Sequence, residues 1–313
     1  MKKQSLGRSG LEIAPLVFGG NVFGWTADEA TSFDLLDRFV ERGFNAVDTA
    51  DSYSSWAPGL SGGESEAVIG KWLASRGRRD ELVLMTKVGS MPGRKGLAAD
   101  NIAAAVEGSL KRLQTDYLDV YFAHIDDDKV PLEETLEAFA RLVDAGKVRT
   151  IGASNYNAGR LRDALGISAE RGWPRYDVIQ PGYNLYDRAG YESELAAVVK
   201  EEGLGVVAYF ALASGFLTGK YKSKADLEGA ARAAFLEGFF DDRGMRLLDA
   251  LRKVAGDLGA TPAQVSLAWL MTRPGVVPIA SATSPEQLED IMGSAQLTLP
   301  KDALEALDRA SAA

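Results

Sequence analysis

Several residue types that build specialised sites are absent or scarce in this 313-residue sequence. It contains no cysteine and a single histidine. The absence of cysteine excludes a disulfide framework, a zinc ribbon, an iron–sulfur site and a cysteine nucleophile. A chain of this length buries roughly three quarters of its unfolded surface, so its core does not depend on such supports.

Long apolar runs and an excess of positive charge are missing as well. No segment approaches the ~18 consecutive apolar residues of a membrane-spanning helix, and residues 1–10 lack the apolar run of a signal peptide. The chain carries 35 Lys and Arg against 44 Asp and Glu, a net charge of −9, which repels nucleic-acid phosphates. We therefore expect a cytoplasmic protein that has neither a membrane nor a nucleic acid as partner.

Two motifs of nucleotide-binding and hydrolytic folds are also absent. The G-x-G-x-x-G fingerprint of a doubly wound open sheet and the H-E-x-x-H zinc helix do not occur. Residues Gly215–Lys220 resemble a phosphate-binding P-loop, but the segment is one residue too short and Tyr221 stands where Ser or Thr is required. The sequence therefore lacks the signature of the open-sheet alternative.

The chain instead contains eight short apolar runs of strand-like composition, separated by longer segments of helical period. Six of the seven steps between the starts of these runs measure 27 to 36 residues, the length of one strand–helix–strand unit. Such units predict an α/β fold, a closed (β/α)8 TIM barrel of parallel strands. The runs begin at Val17, Ala46, Leu82, Leu118, Val148, Val178, Gly205 and Val277.

Further elements are expected outside the regular units. Residues 6–13 place two short apolar flanks around a Gly- and Ser-rich turn, which predicts a β-hairpin that plugs the N-terminal mouth of the barrel. The long step after the seventh strand has room for extra helices over about 243–258 and 262–272, and another helix is expected at the C-terminus. Without a linker or low-complexity stretch, residues 1–313 are expected to form one domain.

Two helix starts carry an N-cap hydroxyl, a proline at the first helical position and a glutamine three residues after the cap. They are Thr261-Pro262-Ala263-Gln264 and Ser284-Pro285-Glu286-Gln287. This combination is the signature of a capping box.

In such barrels the working residues stand at the C-terminal ends of the strands. Asp48, Lys87 and His124 each close an apolar run, and Tyr53 follows Asp48 by five residues. Taken singly, each has a structural interpretation as a turn cap, a solvated strand end, a hydrogen-bonding histidine or a loop tyrosine. Together, at the ends of consecutive strands, the four indicate a functional site much more strongly than any one of them.

Around these residues the sequence resembles the aldo-keto reductases, and the resemblance covers essentially the whole chain in the right order. It implies an NADP-dependent oxidoreductase that reduces an aldehyde or ketone to an alcohol. The matching segments are SLGRSGLEIAPLVFGG (5–20), VDTADSY (47–53), TKVG (86–89), YFAH (121–124), EETLEAFARLVDAGKVRTIGASN (133–155), GASNY (152–156) and VAYFALASGFLTGKY (207–221).

The resemblance assigns a catalytic tetrad to Asp48, Tyr53, Lys87 and His124. Reduction of a carbonyl requires a close acid for the developing oxyanion, and a free tyrosine, with a pKa of about 10, seldom serves without tuning. Tyr53 is then the general acid, Lys87 eases its proton release, and Asp48 holds Lys87. His124 donates a hydrogen bond that orients the substrate carbonyl.

The resemblance also implies residues for the cofactor. Ser154, Asn155 and Gln180 would hydrogen-bond the nicotinamide carboxamide, although Ser154 and Asn155 alone would also suit a helix cap. Tyr209 would stack on the nicotinamide ring. Further cofactor contacts are expected from Gly20, Asn21, Phe210, Leu212, Ser214, Gly215, Leu217, Lys220, Ser281, Thr283, Gln287 and Asp290.

The adenine end departs from the family's pattern. Ile291 stands where the adenine-binding Asn is usual, and no Lys or Arg between Ala280 and Gly293 offers a charged partner for a 2′-phosphate. Backbone N–H groups of the helix that starts at Ser284 are one alternative. Loop cations are another: Lys220, Lys222 and Arg232. The family implies NADP(H), and the residues leave NAD(H) open.

Aromatic residues near the site predict a mostly apolar substrate pocket. Trp25, Trp56 and Phe122 are its candidates. The loop 233–241, with three phenylalanines, suits either a cover over the site or packing against the barrel. The run Asp126–Asp128 lacks the spacing of a calcium loop, so no metal is expected.

Two other functions are compatible with a barrel of this kind. In a Schiff-base aldolase, Lys87 would be the nucleophile, but Tyr53 and the GASNY segment would have no role. In a cofactor-binding regulatory subunit of a channel, as in some members of the family, the same tetrad would sense redox state with little turnover. The substrate is expected to be a small carbonyl or alcohol, and neither its identity nor the oligomeric state can be inferred from the sequence.

Overall fold

The computed structural model describes residues 1–228 and 233–312, and at its centre eight parallel strands form a closed barrel. The strands follow one another around the barrel in chain order, and the last pairs with the first. This arrangement confirms the predicted (β/α)8 fold. The barrel strands are β3 (Val17–Gly19), β4 (Ala46–Asp48), β5 (Val83–Val88), β6 (Leu118–Ala123), β7 (Val148–Ser154), β8 (Tyr176–Gln180), β9 (Gly205–Ala208) and β10 (Val276–Ala280).

Helices cover the outside of the barrel with apolar faces of helical period. In the helix over residues 99–113, for example, Ile102, Val106 and Leu113 are buried on one side. None of the helices in the described ranges combines the length and apolar character needed to cross a membrane. The helices are α1 (Glu29–Glu41), α2 (Glu64–Arg76), α3 (Ala99–Leu113), α4 (Leu132–Asp144), α5 (Ala158–Arg171), α6 (Ala189–Glu192), α7 (Leu195–Glu202), α8 (Ala233–Leu236), α9 (Asp242–Leu258), α10 (Pro262–Met271), α11 (Pro285–Gly293) and α12 (Lys301–Ser311).

The N-terminal hairpin closes the bottom of the barrel. Its strands β1 (Gln4–Ser5) and β2 (Glu12–Ile13) pair antiparallel, and Leu6 and Ile13 join the apolar filling inside the barrel. Gly7 packs so closely on the start of β9 that a Cβ there would lie 2.1 Å from the backbone nitrogen of Gly205. The predicted plug at the N-terminal mouth is therefore confirmed.

The two predicted helix starts differ in detail. Before α10, Thr261 and Gln264 form a complete capping box. Before α11, the Ser284 side chain accepts from the Gln287 backbone, but Gln287 Oε1 accepts from the N–H and hydroxyl of Thr283. The second start is thus an N-cap without the reciprocal bond, because the glutamine side chain reaches one residue further back.

Side chains of the barrel strands alternate between an inner filling and an outer layer beneath the helices. On β6, Val120 and Phe122 point inward, whereas Tyr121 joins the outer layer. This alternation corrects one prediction. Phe122 is 0% exposed within the barrel filling, one inward position below His124, and therefore does not line a substrate pocket.

Candidate active site

Six of the polar side chains predicted for catalysis or cofactor binding stand at the carboxyl ends of neighbouring strands. Because the strands are parallel and the barrel is closed, these ends meet at one mouth. The side chains belong to Asp48 (end of β4), Lys87 (near the end of β5), His124 (directly after β6), Ser154 (end of β7), Gln180 (end of β8) and Tyr209 (directly after β9).

Lys87 is fully buried at the centre of this mouth. Its Nζ donates to Asp48 Oδ2 at 2.7 Å, to the carbonyl of Thr49 at 2.7 Å and to the Tyr53 hydroxyl at 2.8 Å. Three acceptors match the three N–H donors of an ammonium group. The burial of the charge is thereby compensated, and the lysine is held against the phenol.

Asp48 is anchored from two further directions. The Tyr53 hydroxyl donates to Asp48 Oδ2 at 3.2 Å, and Gln180 Nε2 donates to Asp48 Oδ1 at 2.8 Å. Both carboxylate oxygens are therefore satisfied inside the protein, which fixes the orientation of the lysine–carboxylate pair.

Burial determines the protonation of the site. The pKa of Tyr53 is raised well above its ordinary value of 10.0, first by burial and then by the negative charge of Asp48. The pKa of Lys87 is lowered from 10.5, because burial disfavours the ammonium more than Asp48 supports it. Tyr53 is thus a neutral phenol at rest. Burial and Asp48 keep the net pKa of Tyr53 high, and the role of Lys87 in easing its proton release stays a prediction.

His124 is neutral as well. Burial, with the nearby positive charge of Lys87, lowers its pKa from 6.5 to about 3. Among the described residues, none lies in hydrogen-bonding position to its buried Nδ1. The imidazole and the Tyr53 ring have centroids 6.2 Å apart at a steep angle, so a neutral imidazole and a neutral phenol stand side by side at the mouth.

A cavity of about 390 Å³ opens between the ends of β7, β8 and β9 and the helices α5, α6 and α7. Its lining includes Asn155, Gln180 and Tyr209 but no member of the tetrad. The Tyr209 hydroxyl donates to Asn155 Oδ1 at 2.7 Å, and Asn155 Nδ2 donates to the carbonyl of His124 at 2.8 Å. The Ser154 hydroxyl donates to the carbonyl of Gln180 at 2.8 Å. The structure therefore brings together the four residues that were expected to hold a nicotinamide ring.

The loop after β9 has a strained backbone. Phe210, Ala213 and Ser214 have φ values of 54°, 46° and 57°, in the left-handed region that L residues enter at a cost of about 1–2 kcal/mol each. A Cβ on Gly215 would lie 3.9 Å from Lys220 Cε, so the predicted lysine lies beside this loop. Backbone strain of this kind clusters at ligand-binding segments.

One side chain of this loop was assigned wrongly. Leu217 is 0% exposed and belongs to the core beneath the helices, as Leu212 partly does. The Leu217 backbone N–H donates to the carbonyl of Leu212. Its side chain therefore cannot lie along a cofactor, because the loop turns it inward.

Several residues predicted to contact the cofactor lie where the first barrel strand pairs with the last. The Ser281 hydroxyl donates to Asn21 Oδ1, and Gly20 leaves no room for a side chain, since a Cβ there would lie 2.9 Å from the Ser65 hydroxyl. At the start of α11, the backbone N–H and the hydroxyl of Thr283 donate hydrogen bonds to Gln287 Oε1.

Two charged residues considered for the adenine end remain, Asp290 and Arg232. Asp290 accepts from the Thr261 hydroxyl at 2.7 Å and so faces α10. Arg232, one of the three candidate cations, lies outside the described residues.

Aromatic rings border the tetrad on the solvent side. The Trp56 centroid lies 5.8 Å from that of Tyr53 and 5.7 Å from that of Trp25, both edge-on, and Trp56 is 50% exposed. In the loop 233–241, by contrast, Phe239 and Phe240 pack on buried Phe216. For these two rings the structure matches the packing alternative.

Two partners of the tetrad were not anticipated from the sequence. The sequence gives no indication that the carbonyl of Thr49 is a partner, because any residue at that position would offer the same acceptor. Gln180 was assigned to the cofactor, but its side-chain nitrogen is bonded to Asp48 across the barrel. The distance of 132 residues between the two left no local pattern to find.

The fold and the site define a parallel barrel whose mouth holds a lysine–carboxylate pair, a neutral tyrosine and a neutral histidine, an arrangement suited to proton transfer. Comparison with known families gives the class a name. The model of the aldo/keto reductase family matches residues 15–312. The chain belongs to this family of oxidoreductases, as its motifs predicted.

Curated relatives span nearly the whole chain. It is 36% identical to the uncharacterized oxidoreductase YrpG of Bacillus subtilis, over 98% of this chain and 95% of that protein. It is 32% identical to the aldo-keto reductase YhdN of the same organism, over 92% of this chain and 87% of that protein. It is also 33% identical to a probable voltage-gated potassium channel subunit beta of Oryza sativa, over 93% of this chain and 90% of that protein.

Proposed function

We propose that the protein reduces an aldehyde or ketone to the alcohol with a nicotinamide cofactor, and that Tyr53 supplies the proton. This proposal rests on the hydrogen bonds of the Tyr53 hydroxyl. Its hydroxyl lies 2.8 Å from Lys87 Nζ and 3.2 Å from Asp48, beside a neutral imidazole. A proton donor and a hydrogen-bond donor for a carbonyl oxygen therefore stand together at the mouth.

The family generally binds nicotinamide cofactors, and the described residues fit such a group. Asn155, Gln180 and Tyr209 border the cavity of about 390 Å³, whose lining also includes apolar residues such as Leu161, Ile179 and Leu195. A Cβ on Gly182 would lie 3.2 Å from the Tyr209 ring, so a glycine makes room for the ring in this position. Asn155, Ser154 and Gln180 would hold the carboxamide, and the backbone over 210–215 would follow the phosphates.

The bound nicotinamide would supply hydride. The protein residues provide the proton and its control. Tyr53 transfers its hydroxyl proton to the developing alkoxide oxygen, and the phenolate left behind accepts from Lys87 Nζ. Asp48, held by Gln180, keeps Lys87 in place. The neutral His124 donates a hydrogen bond to the same oxygen. Because the pKa of its imidazolium form is low, His124 carries no extra proton that it could transfer in place of Tyr53.

For the cofactor we propose NADP(H), on family grounds, with NAD(H) as the alternative. The described part of the adenine end offers Thr283, Gln287 and the N-terminus of α11 as polar partners. We assign Lys220, which lies beside the loop after β9, to the cofactor phosphates.

A second candidate function is a cofactor-binding subunit that senses redox state. It is supported by the 33% identity to proteins named as probable voltage-gated potassium channel beta subunits. This candidate needs the cofactor site but little turnover. The two candidates therefore differ in rate and not in binding.

The test combines cofactor titration with one substitution. Calorimetric titration with NADPH and with NADH is expected to give micromolar or tighter binding of at least one of them. Tyr53→Phe should keep that affinity but lose ~100-fold or more of carbonyl reduction, because it removes only the proton donor.

Tyr117→Phe, which removes a hydroxyl directly before the start of β6 and so at the opposite, amino end of the barrel, should keep both properties. Binding with negligible turnover in the unsubstituted protein would favour the sensor. Absence of binding would contradict both candidates.

A further inference from the structure

A second group of buried ionisable residues lies behind the tetrad. Asp51 and Glu66 are 2% and 0% exposed. The backbone N–H of Asp51 donates to the carbonyl of Lys87 at 3.3 Å, and Glu66 accepts from the hydroxyl of Thr86, the neighbour of Lys87, at 2.6 Å. Both acids are thus fixed against the strand that carries the lysine.

Arg112 and Tyr121 complete this group, which we call the rear cluster (Asp51, Glu66, Arg112 and Tyr121). Arg112 Nε donates to Glu66 Oε2 at 2.7 Å. The pKa of the buried Tyr121 hydroxyl is raised well above 10.0, first by burial and then by the charges of Asp51 and Glu66. The cluster therefore draws one residue each from the β4–α2 loop, α2, α3 and β6.

The charges of the rear cluster do not balance. Two carboxylates face one guanidinium, while the nearby Lys87 is already paired with Asp48 at 2.7 Å. Within the described ranges, Asp51 Oδ1 and the Tyr121 hydroxyl have no hydrogen-bond partner. Because an unpaired buried carboxylate is costly, the cluster is most stable when it retains a proton.

The direction of the Asp51 pKa agrees with this charge count. Burial, followed by repulsion from Glu66, raises the pKa of Asp51 from 3.8 to about 7, against the opposing charges of Arg112 and Lys87. Ionisation of Asp51 therefore falls in the neutral range, where it changes the charge next to the tetrad.

We propose that Asp51 holds one exchangeable proton and that, once this proton has left, the Asp51 carboxylate helps to keep Lys87 in its ammonium form. Asp51 is then a positioning residue that acts through Lys87 by charge. Burial weakens the ammonium form of Lys87, so an added negative charge behind the lysine extends the pH range in which it stays protonated. The effect on catalysis rests on the proposed function, whereas the proton itself does not.

The test is an NMR titration of the cofactor-free, full-length protein carrying ¹³C at the aspartate carboxyls and at lysine Cε. One carboxyl signal is expected to titrate near pH 7 and to be absent in Asp51→Asn. The Lys87 signal, assigned by its loss in Lys87→Met, should titrate at a pH lower by on the order of 0.5 unit in Asp51→Asn. In an active enzyme, the alkaline fall of kcat should move the same way.

Two further variants complete the design. Glu66→Gln should lower the Asp51 midpoint, because the Glu66 charge is one of the causes that raise it, and it carries the test if Asp51→Asn does not fold. Asp126→Asn, which removes a carboxylate that pairs with Arg160 outside the cluster, should change neither midpoint.

An Asp51 midpoint below about pH 5, or a Lys87 midpoint that is the same in Asp51→Asn and the unsubstituted protein, would overturn the proposal. Neither signal depends on cofactor or turnover. A failure of the proposed function would therefore appear separately, as missing cofactor binding.

Discussion

A buried lysine needs an acceptor for each of its N–H groups, and Lys87 has them in Asp48, Thr49 and Tyr53. Removing one partner of such a pair leaves an uncompensated charge and typically costs about 3–5 kcal/mol. The same contacts place the phenol at one fixed position. At this scale, stability and the proposed chemistry depend on the same hydrogen bonds.

The single histidine offers a direct check of the electrostatics at the mouth. Because burial and Lys87 lower the pKa of His124 to about 3, its ring protons should show no titration between about pH 5 and pH 8. A one-dimensional proton NMR titration measures this without interference, since no other histidine is present.

Urea-unfolded protein is the control for the histidine titration. There the same signals should titrate near the ordinary value of about 6.5. A native midpoint close to that value would show that the imidazole is solvated and charged in mildly acidic solution.

At the scale of elements, the hairpin depends on one glycine. A Cβ on Gly7 would lie 2.1 Å from the backbone of β9, at a φ of +58°, so Gly7→Ala must displace the plug from the barrel. We expect a loss of at least ~2 kcal/mol in the free energy of unfolding, measured with urea.

Gly10→Ala is the matched control for the hairpin prediction. Gly10 also has a positive φ, of +73°, but nothing lies within 4 Å of its added Cβ. Its loss should be limited to the backbone term of about 1 kcal/mol. Equal losses for the two variants would show that packing of the plug contributes little.

The strand ends show why element positions were predictable and side-chain partners were not. Parallel strands that alternate with helices bring their carboxyl ends together whatever residues they carry, so Asp48, Lys87 and His124 had to meet. Phe122 was assigned wrongly because of the direction of its side chain. Position near the end of β6 was correct, but strand alternation placed its ring inside the barrel.

At the scale of the whole molecule, two buried groups give the unfolding free energy opposite slopes with pH. The pKa of His124 is lower in the folded protein than in the unfolded chain, so stability falls as pH drops through 6.5 towards 3. The pKa of Asp51 is higher in the folded protein, so stability falls as pH rises from about 4 to about 7. In the unsubstituted protein these two slopes partly cancel.

Asp51→Asn should remove the contribution of Asp51 to the pH dependence and leave that of His124. It removes the carboxylate whose ionisation is penalised, so its stability relative to the unsubstituted protein should rise between pH 5 and pH 8 by on the order of 2 kcal/mol. Urea unfolding at several pH values in this range measures the difference. Asp126→Asn should show a difference that stays constant, and a constant difference for Asp51→Asn would mean that Asp51 is ionised throughout.

The barrel, its plug, the extra helices and the family follow from the sequence alone, because strand spacing and motifs are local patterns in the chain. The tertiary structure decided which groups compensate one another: the Gln180 bond to Asp48, the neutral state of His124, the inward turn of Leu217 and the unbalanced charge behind Lys87. The physical reason is that hydrogen bonding, burial and charge depend on distances between residues far apart in the chain. Those distances exist only after the barrel has closed.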